Sequence, residues 1–145
     1  VVSVTGHVAN DHLKDKIEVE DTAHARFVFA NGAIGLYDAT TAFSLNAKPI
    51  IDFFCERATL RVEGDNACGI YNNGEIELLG TDSDIARGKD YRGSGHEALI
   101  HDFYDCIASD SRFPIDSHEG GKSVEELAAI YESSESGEEV ILGKR

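Results

Sequence analysis

The hydrophobic period of this chain changes once along its length. From Val1 to about Leu79, apolar residues alternate with polar ones in short runs broken by turn residues. From about His96 they recur every three to four positions. Alternation sends successive side chains to opposite faces of a strand, whereas the longer spacing gathers them on one stripe of a helix. Strands first and helices last exclude a serial β-α-β architecture and predict an α+β fold.

The strand region reads as a meander. Val1 to Asn10 alternates weakly, and Asp11 to Glu18 is a charged connection. Over Asp21 to Ala30, Ala23, Ala25, Phe27 and Phe29 share one face, and Thr22, His24, Arg26 and Val28 share the other. Asn31-Gly32 then signals a type I′ hairpin, with a return strand from about Ala33 to Phe43. Pro49 to Glu56 carries Ile50, Ile51, Phe53 and Phe54, and Thr59 to Glu63 follows with Leu60 and Val62 inward. Turns at Gly64-Asp65-Asn66 and Asn72-Asn73-Gly74 flank a strand at Cys68 to Tyr71 and lead into Glu75 to Leu79. About seven short strands joined by short turns predict a largely antiparallel sheet.

Leu99, Ile100, Phe103, Tyr104 and Ile107 predict a first helix from about His96 to Ser109. Val124, Leu127, Ala128 and Tyr131 predict a second from about Glu119 to Ser134. Ser123 and Glu126 have capping-box spacing, and Gly137 is placed to stop the helix. Glu139 to Leu142 can add a last strand. The expected architecture is an open-faced, mainly antiparallel β-sheet with two C-terminal helices packed on one face. The other face would carry His24, Arg26 and Thr40, residues suited to burial against a second subunit or domain.

At 145 residues, with 41% hydrophobic and 28% charged side chains, one packed domain is expected. The chain has 27 acidic against 13 basic residues, a net charge of −14, which would repel phosphate backbones and anionic membranes. Nucleic acid and membrane surfaces are therefore not expected partners. Three cysteines, Cys55, Cys68 and Cys106, without C-x-x-C spacing argue against a disulfide framework or a zinc ribbon. Reduced, mostly buried thiols are expected, with a cytoplasmic location, since no apolar run nears roughly 18 residues and no signal-peptide pattern opens the chain. The sequence has no methionine and opens Val1-Val2-Ser3-Val4-Thr5, which reads as the middle of a strand. A piece of a longer protein is expected.

Several motifs imitate chemistry. Gly93-Ser94-Gly95-His96-Glu97-Ala98 fits G-x-G-x-x-A, but the charged run Arg87 to Arg92 stands where a dinucleotide fingerprint needs a buried strand. The plainer reading is a loop ending at a helix start. His96 and His101 resemble a zinc-protease pair with one residue too many, which sets them roughly 140° apart around a helix. No metal is expected there. Glu18/Glu20/Asp21, Asp82/Asp84 and Glu138/Glu139 could be acid–base pairs, but polar surroundings favour solvated surface. His96 follows a glycine-rich loop at a helix start, where free N–H groups bind polar ligands, although a solvent-exposed histidine is the plainer reading.

The tail carries a resemblance. Gly95 through Phe103, Phe113-Pro114-Ile115-Asp116, Glu119-Gly120, and Ala129-Ile130-Tyr131-Glu132-Ser133 with Gly137 and Val140 resemble the end of the Gfo/Idh/MocA oxidoreductases. Glu20-Asp21-Thr22, Phe29 to Ala33 and Thr59 to Val62 are similar to that family's strand segments. The resemblance implies a two-domain enzyme, with an amino-terminal Rossmann domain for NAD(P) and a carboxy-terminal open-faced sheet that holds substrate and mediates oligomerisation. It also implies a catalytic lysine in a Glu-Lys-Pro motif and an acid–base D-x-G-x-H-x-x-D segment. Neither motif occurs in this sequence, and Val1 would follow the second.

On that resemblance, residues 1–145 are a substrate-binding and oligomerisation domain, without the Rossmann domain. The parent would act on a sugar, polyol or related hydroxyl or carbonyl compound. The fragment itself would be inactive and bind no cofactor. Substrate contacts would fall on His96, Tyr91, Asn46 and Lys48, and copies would associate through the open sheet face. The alternative is a non-enzymatic dimerisation module built on that face. A small cone-shaped α+β enzyme fits less well, since it needs its helices before the sheet.

Overall fold

A computed structural model describes residues 1–45, 47–64, 66–80 and 95–143. Eight strands and two helices follow in chain order: β1 (Ser3–Ala9), β2 (Thr22–Val28), β3 (Ile34–Thr40), β4 (Ile50–Phe54), β5 (Ala58–Glu63), β6 (Asn66–Tyr71), β7 (Ile76–Gly80), α1 (Gly95–Ala108), α2 (Ser117–Ser136) and β8 (Val140–Ile141). The α+β class and the late helices agree with the hydrophobic period. The strands form two antiparallel sheets of four, ordered β3-β2-β1-β8 and β4-β5-β6-β7, rather than one. The break falls at residues 41–49, a link too long for a tight hairpin and ending in Pro49, which has no N–H for a ladder.

The first unit comprises Val1–Phe43 and Pro114–Arg145. Its β2–β3 hairpin turns at Asn31-Gly32 as expected, but the turn is not type I′. Gly32 has φ 86°, while Asn31 is not in the positive-φ region. The Gly32 N–H donates to the Phe29 carbonyl at 2.9 Å, and the Phe29 N–H donates to the Ala33 carbonyl at 2.9 Å. This is a turn closed by a left-handed glycine bulge, in which one positive φ suffices. Asn72-Asn73-Gly74 repeats the arrangement in the other unit, with Gly74 at φ 85°.

The core of the first unit lies between α2 and the sheet. Val4, Ala25, Ala129 and Ile130 are its buried members. Alternation along β1 and β2 aims Val4, Gly6, Ala25 and Phe27 at the helix and leaves Thr5, His7, His24 and Arg26 on the far face. Gly6 lets the helix come close, since a Cβ there would lie 2.8 Å from Ile130 Cγ2 and 2.9 Å from Ile130 Cα. β8 pairs with β1 only at Ser3 and Val4. Beyond that point α2 supplies the acceptors. Gly6 N–H donates to Ser133 Oγ at 2.9 Å, and Val8 N–H donates to Ser134 Oγ at 3.0 Å.

The ends of α2 follow local rules, with one correction. Gly137 closes it with φ 72°, donating its N–H to the Ser133 carbonyl at 2.8 Å. The start is two residues earlier than the expected Glu119, because Asp116 caps it, accepting from His118 N–H at 3.0 Å and Glu119 N–H at 3.1 Å. Ser123 therefore lies inside the helix and not at its cap.

Asp21 overturns the reading of Glu18/Glu20/Asp21 as solvated surface. It is 2% exposed. Its Oδ2 accepts from the N–H groups of His12 at 2.6 Å and Leu13 at 2.8 Å, and Oδ1 accepts from the Thr22 hydroxyl at 2.8 Å. Burial opposes ionisation, but these hydrogen bonds outweigh it and hold the pKa at about 2, below the ordinary 3.8. A carboxyl depressed by folding stabilises above its unfolded pKa and loses that contribution as pH falls through the folded value. Asp21→Asn is therefore expected to melt below the native chain at pH 7, with the gap narrowing as pH drops from 3.8 toward 2. Paired thermal melts across that window check it; a gap constant in pH would refute the assignment.

The second unit is Ser44–Phe113. Leu60 and Val62 share a face with Phe53 and Ile51, their partners across the β4–β5 ladder. On the other face Arg61 grips Asp52 with two hydrogen bonds of 2.7 Å, Nε to Oδ1 and Nη2 to Oδ2. That grip holds the Asp52 carboxyl below its usual range, although partial burial opposes it. α1 starts and ends within a residue of expectation. Its apolar stripe, Leu99, Ile100, Phe103, Tyr104 and Ile107, stays between 40% and 63% exposed, and Phe103 meets Phe113 edge-on with ring centroids 5.4 Å apart. α2 packs on the first sheet, and α1 belongs to the second unit. No helix among the described residues is long and apolar enough to cross a membrane.

Candidate functional site

The face of the first sheet opposite α2 carries a row of paired polar side chains. The ladders set His7 across from His24, and His24 across from Asp38, so the three form a row over β1, β2 and β3. His24 Nδ1 is bonded to Asp38 Oδ1. One row along, Thr22 and Thr40 share a hydrogen bond of 3.1 Å between their hydroxyls. On the other side of the histidine row, Arg26 faces Leu36, which is 81% exposed, and Ile34 beyond it is 58% exposed. This face mixes paired polar groups with exposed aliphatics and is not a dry core. His24, Arg26 and Thr40 share this face as the alternation predicts.

Two of the four expected substrate contacts lie within the described residues. His96 is the second residue of α1 and is exposed. Free N–H groups at such a helix start can donate to a polar ligand beside the imidazole. Lys48 lies in the link before β4, also exposed, and its stem crosses Gly64, where a Cβ would approach Lys48 Cδ to 2.8 Å. Gly64 has φ 57°, so the turn itself needs a glycine, and the bare position leaves room for the lysine stem. No hydrogen bond or ion pair links His96 to Lys48 among the described residues. Tyr91 and Asn46 lie outside the described residues, as do Asp82 and Asp84.

Other chemistry-bearing groups separate into structural and solvated ones. Tyr131 of α2 donates to Glu20 Oε1 at 2.5 Å, and this hydrogen bond raises the phenol's pKa above 10.0, with burial adding to it. The sequence shows Tyr131 on an apolar stripe, and nothing in its spacing points to Glu20. Glu139 accepts from the Ser3 hydroxyl at 2.6 Å and is otherwise exposed. All three cysteines are free; Cys55 is exposed, contrary to the expectation of buried thiols, and Cys68 and Cys106 are half-buried. Among the described residues no group of three or more His, Cys, Asp or Glu could hold a metal ion.

Gly93 and Ser94 lie outside the described residues, and the described elements on either side are not those of a dinucleotide fingerprint. The fingerprint requires a parallel β-α-β unit in which the strand runs directly into the helix. Here β7 ends at Gly80, is antiparallel to β6 and stands at the edge of its sheet, while α1 begins at Gly95.

No family model matches the chain, and no curated protein matches it. Solved structures do. An oxidoreductase from Agrobacterium radiobacter, in complex with NAD+, L-tartaric acid and magnesium, matches 99% of this chain and 44% of its own, at 22% identity and TM-score 0.81. Levoglucosan dehydrogenase in complex with NADH and levoglucosan matches 99% and 45%, at 16% identity and TM-score 0.81. The WlbA dehydrogenase from Bordetella pertussis, in complex with NADH and UDP-GlcNAcA, matches 100% and 40%, at 21% identity and TM-score 0.62. The chain spans less than half the length of these proteins. Its neighbours are Gfo/Idh/MocA-type oxidoreductases, as the sequence resemblance implies, and the fold of this chain is the fold of the part of them that it covers.

Proposed function

We propose that the chain is the carboxy-terminal, substrate-binding and oligomerisation domain of an NAD(P)-dependent oxidoreductase acting on a sugar, polyol or related hydroxyl or carbonyl compound. The observation that carries this reading is a fold shared over 99% of the chain, at TM-score 0.81, with enzymes crystallised with NAD+ or NADH. NAD(P) would be held outside this chain, in the Rossmann domain that the family resemblance implies, and would supply hydride exchange with the substrate carbon. The role of this domain is to bind and orient. The Lys48 ammonium and the His96 imidazole would donate hydrogen bonds to substrate oxygens, and Tyr91 and Asn46 would add further contacts. The open face of the first sheet would join copies of the protein. Three free cysteines suit the reducing cytoplasm.

Light scattering on the eluting chain tests the association. A dimer or larger species is expected at high micromolar concentration, and a strict monomer there would count against this face as an interface. Leu36→Arg would place an unpaired charge where the aliphatic surface is most exposed, and is expected to weaken association at least tenfold, about 1.4 kcal/mol. Titration with NADH should show no saturation; saturable binding to these 145 residues would defeat the assignment of the cofactor to another domain. The rival reading, a dimerisation module with no enzymatic parent, is separated by the genomic reading frame. An in-frame G-x-G-x-x-G and Glu-Lys-Pro upstream of Val1 would support the enzyme.

A further inference from the structure

We draw no further inference here: the strongest candidate, the His7–His24–Asp38 row across the open face of the first sheet, belongs to the surface already proposed for association, and nothing in the structure shows what covers it.

Discussion

Gly6→Ala is expected to lower the stability of the first unit by about 3 kcal/mol, the upper part of the range for overpacking a tight contact. The added methyl would sit 2.8 Å from Ile130 Cγ2, 2.9 Å from Ile130 Cα and 3.0 Å from the Ile130 carbonyl oxygen. A side-chain methyl can rotate away, but two of these three atoms are helix backbone. Relief therefore requires α2 to lift from β1. Lifting would open the contact between Val4, which is fully buried, and Ala129 and Ile130. The conformational preference of alanine works the other way, since glycine is weak in a strand interior, but that gain is only about 0.5–1 kcal/mol. Urea denaturation checks the result. An unchanged midpoint would mean that α2 does not lie this close to β1.

Ser133→Ala should cost a similar amount, about 3 kcal/mol, by a different route. Ser133 is 1% exposed. Its hydroxyl accepts from Gly6 N–H at 2.9 Å and donates to the Glu138 carbonyl at 2.6 Å. Alanine keeps the packing volume almost intact and leaves the Gly6 N–H and the Glu138 carbonyl, both in part-buried contacts, without this partner. Each unsatisfied group carries about 1–3 kcal/mol. Amide exchange gives a local readout, in which Gly6 N–H should lose protection more than Thr5 or His7. Gly6 and Ser133 are in contact, so the double variant should depart from additivity by about 1 kcal/mol. Strict additivity would place the two effects in separate parts of the unit.

Those two residues mark the limit of what a local pattern can disclose. The faces of β2 were legible because alternation is a property of adjacent residues. Ala25 points at α2, and His24 and Arg26 point away, as the spacing says. The stop of α2 at Gly137 and the start of α1 near His96 were legible for the same reason. The turn at Asn31-Gly32 was legible in position but not in type. A single left-handed glycine after a turn and the paired positive φ values of type I′ draw on the same dipeptide. The cap of α2 was not legible, because capping-box spacing at Ser123 and Glu126 falls inside the helix. The side chain that meets the free N–H groups of the first turn decides the cap, and that side chain is Asp116.

The candidate site divides in the same way. The position of His96 at a helix start follows from the change of period. That His7, His24 and Asp38 form one row depends on the register of three strands, and a shift of one residue would turn any of them to the other face. Asp21 reads as surface in sequence because its neighbours are acidic and polar. It is buried because the 11–13 backbone folds over it and offers N–H groups.

The sequence by itself determined the class of fold, the order of its elements and the faces of its clearest strand, since all three rest on periods shorter than one element. The tertiary structure decided the division into two sheets, the seating of α2 on Gly6 and the burial of Asp21 and Ser133. The bond from Gly6 to Ser133 joins residues 127 positions apart, and Tyr131 and Glu20 are separated by 111. Such partners are chosen by which surfaces meet, and that choice leaves no periodic mark on either segment.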